Sequence, residues 1–388
     1  MNARSNHGPL HGVRVLDMSS LGPGPFCSML LANFGAEVIA VERHGVVGDY
    51  DPAPFFSRGK RSIIVDLRKP RGAQVLKELA VKCDVFLEGY RPGVMERRGL
   101  GPAELLKRNP RLVYTRLTGY GQSGPYSQRA GHDINYIATA GLLGVLGDEA
   151  NGPSVPLNIL GDFASGSLIA AYGTVMALFE RNLTGQGQVV DAAMVDGAAT
   201  LLSAQLAEFA TRQWAGPGQG ILSGAAPFYG VYRCSDGRWF SIGAIETKFY
   251  RELLEALGLD SAMVPSRSDA SNWPRIRTMI ARVFTTRPQS HWADVFDRFD
   301  ACGAPVHSME QLLDDPHLKE RGTIVESEGW IDVAPAPRLS GFEPAPGTRV
   351  AVRGQHTYEV LLENGWRQTE IEELLAEGAI ETAQVPVD

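Results

Sequence analysis

The densest run of chemically useful side chains is Gly131-His132-Asp133-Ile134-Asn135-Tyr136, at the start of an apolar stretch that reads as a helix. A helix start presents unpaired N–H groups and a positive dipole end, which suit an anion or a developing oxyanion. The plainer reading is that Asp133 caps the helix and His132 packs. Asp162, in Leu160-Gly161-Asp162-Phe163, precedes a long apolar segment, where capping is the default role for an aspartate. Glu246 opens a segment after Gly243-Ala244-Ile245, and glutamate in a first helical turn is commonplace. Each residue is ordinary alone. Brought together by a fold, they would form an acid–base set.

The elements that must position them follow from periodicity. Short apolar runs at 13–17, 36–42, 62–66, 84–88 and 112–117 read as strands, and 25–33 and 70–81 as helices between them. Gly35 sits where a helix C-terminus favours glycine, and Pro70 where a first turn tolerates proline. Strand–helix alternation at this spacing predicts a parallel sheet covered on both faces, an α/β arrangement. Residues 133–210 read as mainly helical, with a further strand at 189–191. Residues 216–220 read as a glycine-rich linker. Beyond it, Asp236-Gly237 between apolar runs signals a hairpin, and helical patterns at 246–257 and 273–284 make 226–325 a smaller α+β domain. The tail, 358–375, is helical again and is compatible with packing on the first domain or standing apart.

An open parallel sheet binds ligands beyond its strand carboxyl ends. Those ends carry Arg43, Arg58-Gly59-Lys60-Arg61, Arg68-Lys69 and Arg91, a local basic concentration in a chain of formal charge −7. A phosphorylated ligand and an ordinary solvated surface are both consistent with it. The acidic balance argues against nucleic acid or anionic membrane as the main partner. Several signatures are absent: Gly121-Gln122-Ser123-Gly124 lacks nucleophile-elbow spacing, there is no phosphate-binding P-loop, and Leu21-Gly22-Pro23-Gly24-Pro25 is not a dinucleotide fingerprint. Cys27, Cys83, Cys234 and Cys302 are scattered, which indicates neither a zinc site nor a disulfide framework and suggests a reducing, cytoplasmic setting. The run 163–179 approaches membrane-spanning length but contains Ser165, Gly166, Ser167 and Gly173, so a buried helix is expected. The N-terminal residues 1–12 lack a signal-peptide core, and 385–388 carry no targeting signal.

Several motifs together closely resemble the α-methylacyl-CoA racemases of the family III CoA-transferase superfamily. They are Gly22-Pro23-Gly24-Pro25-Phe26-Cys27, Arg58-Gly59-Lys60-Arg61-Ser62, Gly119-Tyr120-Gly121-Gln122-Ser123-Gly124 and the run Gly131, His132, Asp133, Ile134, Asn135, Tyr136. Gly224-Ala225-Ala226-Pro227-Phe228-Tyr229, Gly243-Ala244-Ile245-Glu246 and Lys319-Glu320-Arg321-Gly322 extend the match, which covers about 10–325. The His-Asp-Ile-Asn-Tyr run is specific to the racemase branch.

The resemblance implies a large Rossmann-like CoA-binding domain over 1–215, completed by 335–388, and a small α+β domain over 226–325. Linkers at 216–225 and 326–334 would join them, in an interlocked homodimer. It implies His132 and Asp162 as catalytic bases, with Glu246 supplied across the dimer interface. CoA contacts map onto Arg43, Val65, Asp66, Leu67, Arg68, Arg97 and the run from Gly131 through His132, Asp133, Ile134 and Asn135 to Tyr136. Arg68 departs from the pattern, since lysine is frequent there; the charge is kept but the hydrogen-bond geometry is not. The implied reaction inverts the α-carbon of a 2-methylacyl-CoA thioester. One base removes the α-proton from one face, and the other returns a proton to the opposite face through an enolate. No metal or redox cofactor is needed, because CoA arrives as part of the substrate. The other activity of the superfamily is CoA transfer with Asp162 as nucleophile. A third possibility is a CoA-thioester binder without turnover.

Overall fold

Six short, apolar-rich segments form the parallel part of the main sheet. The computed structural model describes residues 8–19, 22–43, 54–327, 330–343 and 350–383. Residues 1–7, Leu21, the 328–329 step of the expected return linker, 344–349 and 384–388, on which parts of the sequence reading fall, lie outside the described residues. The chain divides into two compact units: Met1–Leu142 with Pro156–Leu202 and Val325–Asp388, and Leu143–Val155 with Ser203–Ile324.

In the first unit, β1 (Arg14–Asp17) leads into α1 (Pro23–Asn33) and β2 (Glu37–Glu42). Then come β3 (Lys60–Val65), α2 (Pro70–Val81) and β4 (Val85–Glu88). Two short helices, α3 (Val94–Arg97) and α4 (Pro102–Arg108), precede β5 (Val113–Thr118). Next are α5 (Asp133–Thr139), a nine-residue π-turn (Ile159–Ser167) that runs directly into α6 (Leu168–Thr184), β6 (Val189–Ala193) and α7 (Met194–Leu201). Prolines open α1, α2 and α4, where the missing N–H costs nothing.

The second unit holds α8 (Ser203–Ala210) and an antiparallel sheet of β7 (Tyr229–Arg233), β8 (Trp239–Gly243) and β9 (Gly303–Val306). Around the sheet lie α9 (Thr247–Ala256), α10 (Trp273–Phe284) and α11 (Gln289–Phe296), whose Ile276, Ile280, Phe284, Trp292 and Phe296 pack on Phe240. Two short helices follow, α12 (Met309–Leu312) and α13 (Pro316–Glu320). The chain returns through β10 (Ile324–Ser327), paired with β11 (Trp330–Val333). It ends in α14 (Thr357–Glu363), α15 (Gln368–Ala376) and β12 (Ile380–Glu381).

The main sheet runs β12-β3-β2-β1-β4-β5-β6, parallel except for β12. Every residue of β4 and β5 is buried, as expected of strands covered on both faces. Alternate side chains go to opposite layers. Leu16, Ile39, Phe86 and Tyr114 face α2 and the C-terminal helices, while Val15, Val38, Val85 and Val113 face α1 and α6. The crossover direction reverses between β1 and β4, so a crevice opens at their carboxyl ends.

The structure departs from the sequence reading at two places and decides a third that the sequence left open. The glycine-rich 216–220 stretch joins no units: it lies inside the second one, with Gly218 against Asp148, and α8 also belongs there rather than to a first domain ending at 215. The tail packs back on the first unit, its last strand pairing antiparallel with β3 through Ile380 and Val65. The long apolar helix is only half buried. Among the described residues, Ile159–Thr184 is the one stretch long and apolar enough to cross a membrane. Its inner face seats Ala170, Thr174, Ala177, Leu178 and Arg181 on the sheet, with Arg181 paired to Asp84 at 2.8 Å. Its outer face leaves Leu168, Tyr172, Met176, Phe179 and Leu183 exposed.

Candidate active site

A cleft of about 1050 Å³ occupies the crevice, built entirely within the first unit. Its floor is made by the strand ends, with Met18 and Ser19 after β1, Gly89 to Arg91 after β4, and Leu117 to Tyr120 at β5. One wall is apolar: Phe56 and Phe163 meet edge to face at 5.7 Å beside Met18 and Met194. Another is basic, formed by Arg43, Arg91 and Arg129. Arg129 lies 3.9 Å over the Tyr126 ring, and Arg43 reaches the Tyr90 hydroxyl.

His132 and Asp162 both line this cleft, brought together from segments thirty residues apart in sequence. His132 stands immediately before α5, where its backbone N–H donates to Asn135 Oδ1 at 3.0 Å. The Tyr136 hydroxyl donates to the Gly131 carbonyl and clamps the turn that presents the imidazole. The Tyr136 ring fits because residue 119 is glycine; a Cβ there would lie 2.0 Å from Cε1.

Asp162 does not cap the apolar helix, contrary to the default expectation. It sits inside the π-turn that precedes α6, an insertion of the kind that collects at functional sites. The turn is held at each polar group. The Asp162 N–H donates to Asp133 Oδ2 at 2.7 Å, and the Ser167 hydroxyl lies 2.9 Å from its carbonyl and 2.7 Å from that of Pro23. Asn158 Nδ2 donates to Asp162 Oδ2 at 3.1 Å. Burial pushes the Asp162 carboxyl above the usual carboxylate range; Asn158 opposes this, the Asp133 charge adds to it, and His132 opposes it. A carboxylate made more basic in this way is a better proton acceptor.

The remaining expected site residues divide sharply. Arg43, Gly131, Asn135 and Tyr136 line the cleft with His132, whereas Asp133 is buried and Ile134 is exposed beside it. Val65, Asp66, Leu67 and Arg68 lie at the carboxyl end of β3, on the same sheet edge, and Arg97 ends α3. Arg68 forms a fork on Asp66, with Nε 2.9 Å from Oδ1 and a terminal nitrogen 2.9 Å from Oδ2. Glu246 is an exposed residue of the second unit at the start of α9. The 58–61 cations stand at the amino end of β3, not at a strand carboxyl end as the sequence suggested, and are engaged internally. Lys60 is buried against Asp17, Ser28 and the Pro25 carbonyl, Arg61 reaches Glu37, Glu359 and Glu363, and Arg58 pairs with Asp332. Only part of the basic concentration is therefore offered to a ligand.

Asn158, Tyr90 and Arg129 escaped the sequence reading. Asn158, one helical turn before Asp162, was the discoverable one. Among the described residues, no three His, Cys, Asp or Glu side chains gather in a group that could hold a metal ion.

A doubly wound sheet with an imidazole and a carboxyl lining one cleft at its switch point defines the protein as α/β with its candidate site at the strand carboxyl ends. The chain belongs to CoA-transferase family III, which matches residues 10–357. It is 44% identical to human α-methylacyl-CoA racemase over 379 residues, covering 97% of this chain and 98% of that protein. It is 31% identical to human succinyl-CoA:glutarate CoA-transferase over 402 residues, covering 97% and 91%. Among solved structures it resembles Rv3272 from Mycobacterium tuberculosis, with TM-score 0.75, 28% identity and coverage of 91% and 99%. A CaiB/BaiF family protein from Brucella suis shares the fold, with TM-score 0.80, 24% identity and coverage of 92% and 100%.

Proposed function

We propose that the protein is a racemase that inverts the α-carbon of 2-methylacyl-CoA thioesters. The observation that carries this reading is the meeting of His132 and Asp162 in one cleft, in a chain 44% identical to a racemase from end to end. Thioester carbonyls acidify the α-proton by delocalising the carbanion as an enolate. His132 serves one face of that carbon and Asp162 the other, so a proton lost from one side is replaced from the opposite side. The enolate oxygen needs donors. The Asp162 N–H is not one of them, since Asp133 takes it. The first-turn N–H groups of Asp133 and Ile134, which have no acceptor within α5, are placed beside His132 for that role.

CoA enters as part of the substrate and no other cofactor is required. Its phosphates and nucleotide lie along the sheet edge, against Arg43 and the segment Val65, Asp66, Leu67 and Arg68, with Arg97 nearby. Binding there draws on interactions remote from the reacting carbon. The branched acyl group lies on the Phe56, Phe163 and Met194 wall. Glu246 completes the site from the second unit of a partner chain, orienting His132 and stabilising its imidazolium form. The enzyme is a cytoplasmic, interlocked homodimer, and the exposed apolar stripe of α6 is the kind of surface such an interface covers.

The test is incubation of one enantiomer of a 2-methylacyl-CoA in heavy water, following α-deuterium and optical purity, with a free-acid acceptor in a parallel tube. Wild type takes up deuterium and loses optical purity; His132→Ala and Asp162→Asn each lose racemisation by about a hundredfold or more. Transfer of CoA to the acceptor without α-exchange would instead assign Asp162 as a nucleophile.

A further inference from the structure

The two-base scheme uses the backbone of Asp133 but gives its side chain nothing to do. That side chain is 7% exposed. Oδ2 accepts the Asp162 N–H at 2.7 Å, while Oδ1 is enclosed and has no hydrogen-bond partner among the described residues. Buried carboxylates ordinarily collect several donors, because an unmet lone pair retains its desolvation cost. This one is kept half satisfied, and the facing segment is shaped around it. A Cβ on residue 161 would stand 2.3 Å from Oδ2, so only glycine lets the carboxylate reach the π-turn. Capping does not account for the arrangement either. Asp133 is the first residue of α5 rather than its cap, and it turns its carboxylate away to another segment.

We propose that Asp133 is a positioning residue for the base at Asp162: its carboxylate seats the π-turn through the Asp162 N–H and stands as a second negative charge behind the reacting carboxyl. The proposal rests on the acid–base reading given above. Asp162 is faced by His132, Asp133 and Tyr136 from α5 and the turn before it, and by Asn158 from its own turn; Arg91 stands beyond Tyr136. Within that set Asp133 is the one anion, and it works in the same direction as burial. It keeps a proton on Asp162 to higher pH and makes the ionised form a stronger base.

The experiment compares Asp133→Asn and Asp133→Ala with wild type by the pH dependence of α-deuterium incorporation from 2-methylacyl-CoA. Asparagine keeps an acceptor for the Asp162 N–H and removes the charge. The acid limb of kcat/KM then moves to lower pH by about one unit, with plateau kcat within about threefold of wild type. Alanine removes both functions, and kcat falls by about tenfold or more while KM for the thioester stays within about twofold. Circular dichroism melts establish that each variant is folded; if Asp133→Ala is not, the Asp133→Asn profile decides. A profile for Asp133→Asn superimposable on wild type overturns the proposal. An Asp162→Asn variant run in parallel separates the two claims. Wild-type racemisation by that variant sinks the acid–base reading itself, whereas an Asp162→Asn unable to racemise with an unmoved Asp133→Asn profile sinks only the positioning role.

Discussion

Asp162 is poised between neighbours that act on its proton in opposite senses. Asn158 donates to the carboxylate form and so holds the pKa down, against burial and Asp133, which hold it up. On the proposed two-base reading, Asp162 must be ionised to accept a proton. Asn158→Ala therefore shifts the acid limb of kcat/KM to higher pH, by about one unit for the loss of a hydrogen bond to a charged group. Deuterium incorporation across the pH range checks this, and an unmoved or downward-shifted limb would contradict it. The geometry behind this balance was only half legible in the residues. His132, Asp162 and Glu246 stand out by type and by resemblance. That Asp133 and Asp162 meet, with a glycine between them to allow it, depends on a tertiary approach that no local spacing encodes.

At the level of elements, several strands were legible because buried parallel strands leave near-continuous apolar runs, as 38–41 and 85–87 do. The π-turn was not, since Ile159–Ser167 has the same apolar and small-residue character as the α-helix it joins. The basic motif at 58–61 misled for another reason: charge in a sequence does not say which way a side chain points. Lys60 on β3 points inward and ties the end of β1, through Asp17, to the first turns of α1, through Ser28 and the Pro25 carbonyl. Lys60→Met leaves Asp17 buried without its counter-charge. It should destabilise the fold by about 3–5 kcal/mol, read from the urea midpoint. A loss under about 1 kcal/mol would mean that Ser19 and Ser28 alone satisfy Asp17.

Over the whole molecule, the outer stripe of α6 is difficult to reconcile with an isolated chain: Phe179 is 68% and Leu183 74% exposed, on the same face as Leu168 and Tyr172. If a partner covers it and lends Glu246, the inactive variants His132→Ala and Glu246→Gln complement when co-expressed. Random pairing then restores about a quarter of wild-type activity, because each mixed dimer keeps one intact site. Absence of any recovery places Glu246 in its own subunit's chemistry or outside it. One more consequence lies in β12. The edge of the main sheet is closed by residues 380–381, whereas the second unit draws almost wholly on 203–324. On the ribosome, then, the middle of the polypeptide has all its parts before the beginning does. The early strands must wait, incompletely covered, for β12, and the nascent chain's exposure to chaperones is set by the time taken to translate the codons between 324 and 381.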